Sequence, residues 1–192
     1  MRKMRPFKKI MVIGGGGREH AIITKLKENP EVEEIFALPG NGGIAADAIC
    51  VDIAATDIDK IVEFAWNNRI NFAVVAPDDP LVLGCVDALE NHGIPCFGPN
   101  KAAAIIEGSK IFSKNLMKKY NIPTAEYATF DKMDEALNYV ETCKIPIVVK
   151  ADGLALGKGV IIAETRDEAR DAIISMMKDK KFGSGVVPMA NF

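Results

Sequence analysis

Residues 147–160, Ile147-Val148-Val149-Lys150-Ala151-Asp152-Gly153-Leu154-Ala155-Leu156-Gly157-Lys158-Gly159-Val160, hold the side chains best suited to chemistry in this sequence. The β-branched run predicts a buried strand ending at Lys150. Gly153, Gly157 and Gly159 let a backbone approach an anion without Cβ interference, and Lys150 and Lys158 add mobile point charges for phosphate oxygens. The chemistry is that of a nucleotide phosphate site. It is not a Walker A loop: counted from Gly153, the second glycine falls one position early, at Gly157, and Lys158 is followed by Gly159 instead of a hydroxyl. A plain glycine-rich turn between two strands is the competing reading of the motif alone.

A second glycine cluster, Gly14-Gly15-Gly16-Gly17-Arg18-Glu19-His20, follows the apolar run 10–13. Its spacing fails the dinucleotide pattern, because the third glycine of G-x-G-x-x-G would fall on Glu19 or His20. The second strand ends in Ala37-Leu38-Pro39, with no acid placed for a ribose diol, which argues against a nicotinamide oxidoreductase. Backbone amides at a glycine-rich helix start still seat an anion, so Gly15, Gly16, Gly17, Arg18 and Glu19 are candidates for a smaller phosphorylated ligand. Pro39-Gly40-Asn41-Gly42-Gly43 offers a second nest through Asn41 and Gly42, with ligand-free tight turns as the bland alternative for both.

These loops need a frame that holds them. Strand-like runs at 10–13, 34–38, 72–75 and 95–97 alternate with helix-like stretches at 19–28, 57–68 and 81–92, the rhythm of a parallel βαβ sheet. Ligands gather at the carboxyl ends of such strands, where the glycine loops and Ala76-Pro77-Asp78-Asp79-Pro80 lie. After Phe97-Gly98-Pro99-Asn100 two helical stretches follow without a strand, 101–107 and 109–120, the second N-capped by Ser109 and half-buried through Ile111, Phe112 and Leu116. A strand near 125–130, a helix at 133–142, the strand 147–150, a hairpin return at 160–163 and a helix at 166–178 complete the pattern. Phe64 and Trp66 are expected to fill core or helix–sheet space. The divisions are a basic extension 1–9, a parallel-sheet domain 10–100, a helical linker 101–123 and a partial domain 124–192.

Composition narrows the partners. The 192 residues carry 24 basic and 26 acidic side chains for a net charge of −2, which gives no broad electrostatic attraction to nucleic acid or an anionic membrane. The basic start lacks an h-region and cleavage pattern, and no segment is long enough to span a bilayer. Cys50, Cys85, Cys96 and Cys143 form no C-x-x-C pair and read as reduced thiols of a cytoplasmic protein.

Taken in order, Ile13-Gly14-Gly15-Gly16-Gly17-Arg18-Glu19-His20, Pro39-Gly40-Asn41-Gly42-Gly43, Cys96-Phe97-Gly98-Pro99, Glu107-Gly108-Ser109-Lys110, Ile122-Pro123-Thr124-Ala125 and Val148 to Val160 resemble the phosphoribosylamine–glycine ligases, or glycinamide ribonucleotide synthetases, of the ATP-grasp superfamily. The resemblance covers residues 10 to about 183. It implies an α/β architecture: a Rossmann-like, pre-ATP-grasp domain that helps bind the phosphoribosyl substrate, then the first, incomplete part of an ATP-grasp domain. The implied reaction of purine synthesis activates glycine with ATP as an acyl phosphate, which the amine of 5-phosphoribosylamine attacks.

By resemblance Lys110 and Lys150 contact ATP phosphates, with Asp152, Gly153, Gly157, Lys158 and Gly159 in the loop that closes over them. The phosphoribosyl substrate falls to the Gly15–Glu19 loop, Asn41, Gly42 and Asp78, the last standing where the family usually has Gly-Pro-Glu. No catalytic residue is assigned. Magnesium or manganese ligands are expected in sequence beyond Phe192, so the 192-residue chain is expected to be inactive alone, with dimerisation or incomplete order past Gly159. The alternatives are a non-catalytic nucleotide- or phosphoribosyl-binding fragment and an ATP-grasp ligase for another acyl substrate.

Overall fold

The computed structural model describes residues 8–153, 159–178 and 186–190. The chain falls into two compact units, 1–104 and 105–192.

In the first unit, strands β1 (Lys9–Gly14), β2 (Glu34–Pro39), β3 (Ile49–Cys50), β4 (Phe72–Val75) and β5 (Cys96–Phe97) form one parallel sheet ordered β3-β2-β1-β4-β5. Central β1 is apolar at every position from Ile10 to Ile13 because helices cover both faces. Ile10 and Val12 pack on one side with Ile23 of helix α1 (Gly17–Leu26). Met11 and Ile13 pack on the other with Ile61 and Ala65 of α2 (Ile58–Asn67) and Leu89 of α4 (Cys85–Asn91). The chain order therefore reverses between β1 and β4, and the crevice at a parallel sheet's carboxyl edge opens at such a reversal.

Local chemistry sets the element ends. Asp57 caps α2 by accepting the Lys60 N–H at 3.3 Å, and Phe64 meets Phe36 edge-on with centroids 5.4 Å apart. Trp66, expected in the core, is 64% exposed; the apolar face of α2 is Ile61, Val62 and Ala65, and Trp66 lies off that stripe. The single helix expected over 81–92 is two, α3 (Asp78–Leu83) and α4, broken at Gly84, whose φ of 95° suits glycine. Lys101–Gly108 forms α5.

The second unit has a three-stranded sheet ordered β7-β6-β8, with β6 (Ile147–Ala151) antiparallel to both β7 (Val160–Ala163) and β8 (Val186–Ala190). Ile147, Val149 and Ala151 turn toward α7 (Met133–Thr142) and α8 (Arg166–Lys178). Small residues Ala136, Ala169 and Ala172 let the helices approach closely around the fully buried Ile173. Arg170 joins them in a fork to Glu141 with N–O distances of 2.7 to 2.9 Å. Past Gly159 the described residues include those of β7, α8 and β8. Alternation leaves Lys150, half-buried, on the sheet face opposite the helices.

Two further expectations differ. No strand spans 125–130: beyond single bridge residues at Tyr127 and Phe130, the Tyr127 hydroxyl donates to the Lys114 carbonyl at 2.9 Å and the Phe130 ring lies tilted 46° against Tyr139, centroids 5.3 Å apart. Helix α6 (Lys110–Lys119) is half-buried through Ile111 and Leu116 as expected, but Phe112 is 42% exposed.

Candidate functional sites

The glycine loop of the first unit is held from beneath. Strand β1 ends at Gly14, φ 119°, where a Cβ would stand 2.7 Å from Glu19 Cγ and 2.8 Å from Pro77 Cγ. At Gly15 a Cβ would meet the Gly40 carbonyl oxygen at 2.4 Å, so the turns after β1 and β2 touch backbone to backbone. The Gly40 N–H donates to the Gly14 carbonyl at 3.2 Å. Asn41 completes the clasp: its Nδ2 donates to the Gly15 carbonyl at 2.7 Å, and its Oδ1 accepts from the Gly43 and Ile44 N–H groups at 2.7 and 2.9 Å.

Glu19 is 3% exposed, and its Oε2 accepts the Gly16 N–H at 2.6 Å, the backward half of a capping box. Gly16, Gly17, Arg18 and Gly42 face outward, with open space where Cβ atoms of Gly17 and Gly42 would be. The N–H groups of Gly17 and Arg18 belong to the first turn of α1, which has no carbonyl to receive them. His20 Nε2 donates to Asp47 Oδ2 at 2.8 Å, while Lys27 Nζ donates to Asp47 Oδ1 at 2.7 Å. The hydrogen bonds from Lys27 and then His20 keep the Asp47 carboxyl below its ordinary value. Asp78 opens α3 just after Pro77, half-exposed.

In the second unit Asp152 closes the start of α6. Its two oxygens each accept from Ser109 Oγ at 3.2 Å, and Oδ1 also accepts the Ile111 N–H at 3.1 Å; Ser109 Oγ in turn accepts the Phe112 N–H. Lys110 Nζ donates to the Gly153 carbonyl at 2.6 Å. Sequence spacing alone overlooked Lys114, one helical turn beyond Lys110. Its Nζ reaches Thr124 Oγ1 at 2.5 Å and lies 5.2 Å from the Tyr127 ring centre. The i, i+4 interval was the available signal. Burial first, and then Lys150, push the Lys114 ammonium below its usual value; burial does the same at Lys110, with Lys150 adding to it against the pull of Asp152. Lys150 thus acts electrostatically on both Lys110 and Lys114, with Asp152 beside Lys110. The Ala151 N–H to Gly159 carbonyl bond, 2.8 Å, pins the base of the glycine loop. Gly157 and Lys158 lie outside the described residues.

Among the described residues, no group of three or more His, Cys, Asp or Glu could hold a metal ion, and no helix is long and apolar enough to cross a membrane.

The matching family models and curated relatives agree on one family. Residues 8–107 match the family described as phosphoribosylglycinamide synthetase, N domain, and residues 108–189 match phosphoribosylglycinamide synthetase, ATP-grasp (A) domain. The phosphoribosylamine–glycine ligase of Caldanaerobacter subterraneus subsp. tengcongensis is 49% identical over 175 residues, 91% of this chain and 42% of the relative. That of Lactococcus lactis is 51% identical over 166 residues, 86% and 40%. The chain thus spans about two fifths of the length of these relatives. Among solved structures, the phosphoribosylamine–glycine ligase of Thermotoga maritima superposes with a TM-score of 0.76 at 28% identity, covering 95% of this chain and 44% of that one. The biotin carboxylase domain of Hydrogenobacter thermophilus 2-oxoglutarate carboxylase gives 0.77 at 17% identity, covering 98% and 45%, a likeness of fold.

Proposed function

The chain belongs to the phosphoribosylglycinamide synthetase family, and from that premise we propose that it serves the ATP-dependent joining of glycine to 5-phosphoribosylamine, with the phosphosugar at the Gly14–His20 loop and the ATP phosphates at Lys110, Lys114 and Lys150. Glycine activation transfers a phosphoryl group to a carboxylate, giving glycyl phosphate and ADP. The substrate amine then displaces phosphate to give glycinamide ribonucleotide. Negative charge gathers on the transferring group, and cations fixed beforehand stabilise it.

The observation that carries the reading is the clustering of three lysines. Burial of Lys110 and Lys114 and the nearness of Lys150 disfavour their charged forms, a cost that a polyphosphate would offset. Asp152 does not compete for the ligand, since Ser109 and Ile111 already engage it. Lys110 would exchange the Gly153 carbonyl for a phosphate oxygen. Gly153 and Gly159 bound the loop that, by family likeness, covers the phosphates and keeps water from the acyl phosphate. A divalent ion finds no cluster of three acidic, His or Cys side chains among the described residues, so the contribution assigned to this chain is made by its lysines and backbone. In the first unit, the Gly17 and Arg18 N–H groups and the exposed Arg18 side chain are the anion-facing groups. Asn41 supports this surface from behind by tying the two loops together.

The test is calorimetric titration of ATP into the chain and into Lys150→Ala. Loss of one phosphate cation is expected to weaken ATP about tenfold, or about 1.4 kcal/mol. Equal affinity for both proteins would remove the lysine patch from the ATP site.

A further inference from the structure

Glu19 has one oxygen too many for a structural staple. Its Oε2 accepts the Gly16 N–H, which alone fixes the turn at the start of α1. Its Oε1 is also buried, yet has no hydrogen-bond partner among the described residues; its ion-pair partner is the Nε of Arg18 at 3.9 Å, on a side chain 70% exposed. Glu34 Oε2 is buried in a similar way but lies 2.6 Å from the Lys9 ammonium, which accounts for it. Among the described residues only the distant, exposed Arg18 guanidinium approaches Glu19 Oε1, and leaving an acceptor both buried and without a hydrogen bond is unfavourable.

Its place in the fold is informative. The side chain is wedged over Gly14 and beside Pro77, so the carboxylate stands where the ends of the adjacent strands β1 and β4 part, at the reversal of the sheet order. A carboxylate there repels a phosphate group and attracts a hydrogen-bond donor. The anion-facing groups, the Gly17 and Arg18 N–H groups and the Arg18 guanidinium, lie on the outer side of the same turn.

We propose that Glu19 Oε1 accepts a hydrogen bond from a sugar hydroxyl of the phosphorylated substrate, making Glu19 the residue that selects a phosphosugar over a bare phosphate and sets its orientation, sugar inward and phosphate at the rim. This rests on the reading that the glycine loop receives the phosphosugar. It gives Glu19 a role opposite in sign to phosphate binding. The hydroxyl supplies the donor that Oε1 lacks, while Oε2 keeps the loop in shape.

Glu19→Gln separates the two jobs, because its amide oxygen still accepts the Gly16 N–H while an NH2 donor replaces Oε1. The unsubstituted chain and the variant are titrated with ribose 5-phosphate and with inorganic phosphate, following the backbone amides of residues 14–20 by NMR. Ribose 5-phosphate is expected to bind the variant at least tenfold more weakly, with inorganic phosphate unchanged. The Glu19 side-chain carboxyl 13C resonance of the unsubstituted chain, which needs no variant to fold, is expected to move with ribose 5-phosphate and to stay with inorganic phosphate. Equal ribose 5-phosphate affinity in the variant, or a stationary carboxyl resonance while the loop amides shift, overturns the role of Glu19 and leaves the loop site standing. If neither ligand shifts the loop of the unsubstituted chain, the reading of the loop itself falls, and this role with it.

Discussion

The glycine loop of the first unit and the lysine patch of the second, both proposed to take phosphorylated ligands, are built by different physical means. The loop is assembled from backbone: its turns are locked by contacts that only glycine permits and by the side chains of Asn41 and Glu19. The patch is assembled from charge: burial first, and then Lys150, disfavour the ammonium forms of Lys110 and Lys114, while Asp152 pulls Lys110 the other way and caps α6. A backbone site fails when its shape is disturbed. A charge site fails when a cation is removed, whatever the shape.

The sharpest way to break the comparison is Gly15→Ala. Its Cβ would lie 2.4 Å from the Gly40 carbonyl oxygen, so the two loops must separate. A loss of about 1–3 kcal/mol in urea unfolding is expected, together with loss of ribose 5-phosphate binding. Gly17→Ala two residues on, in open space, should change stability by no more than about 1 kcal/mol. Lys150→Ala should do the reverse in the patch, weakening ATP about tenfold while leaving ribose 5-phosphate affinity and the melting temperature nearly unchanged.

Asp152→Asn sharpens the contrast at smaller amplitude. The cap on Ser109 and Ile111 loses its charge but keeps an acceptor, and thermal unfolding should register a loss of about 0.5–1 kcal/mol with a correspondingly modest effect on ATP. The smallest effect concerns pH. The folded Asp47 carboxyl is held below its ordinary value of 3.8 by Lys27 and His20, so its contribution to stability is present above that value and is lost as the pH falls further through the folded one. Unfolding midpoints measured from pH 5 down to pH 2 should fall less steeply for Asp47→Asn than for the unsubstituted chain. The patch behaves oppositely at high pH: the strain of charging Lys110 and Lys114 is fully present at neutrality and is relieved as the pH rises through their lowered values toward 10.5.

Sequence carried the first unit's sheet well, because strands buried on both faces are unbroken apolar runs bounded by glycine and proline, as at 10–13 and 72–75. The family motifs also carried the family to which the chain belongs. What escaped was set by tertiary context. Two residues make β3 and leave no period to detect. Gly84 reads as an ordinary small residue until its φ of 95° divides α3 from α4. Strand β8 follows a stretch without clear alternation and is defined by its pairing with β6. The aromatic residues of 125–130 suggested a strand but are used as anchors to Lys114 and Tyr139. In the sites, spacing located the loops but not the direction of the side chains: Glu19 turns inward and Asp152 turns to a helix start, orientations fixed by partners distant in sequence.

The glycine loop of the first unit and the lysines of the second are proposed to take different phosphorylated ligands. The most direct test is a 15N-resolved NMR titration of the chain with ribose 5-phosphate and then with ATP. Ribose 5-phosphate should shift the amides of residues 14–20 and 40–43, and ATP those around Lys110, Lys114 and Lys150, with each set responding to its own ligand in either order of addition. Competition of the two ligands for a single set of amides would contradict the account.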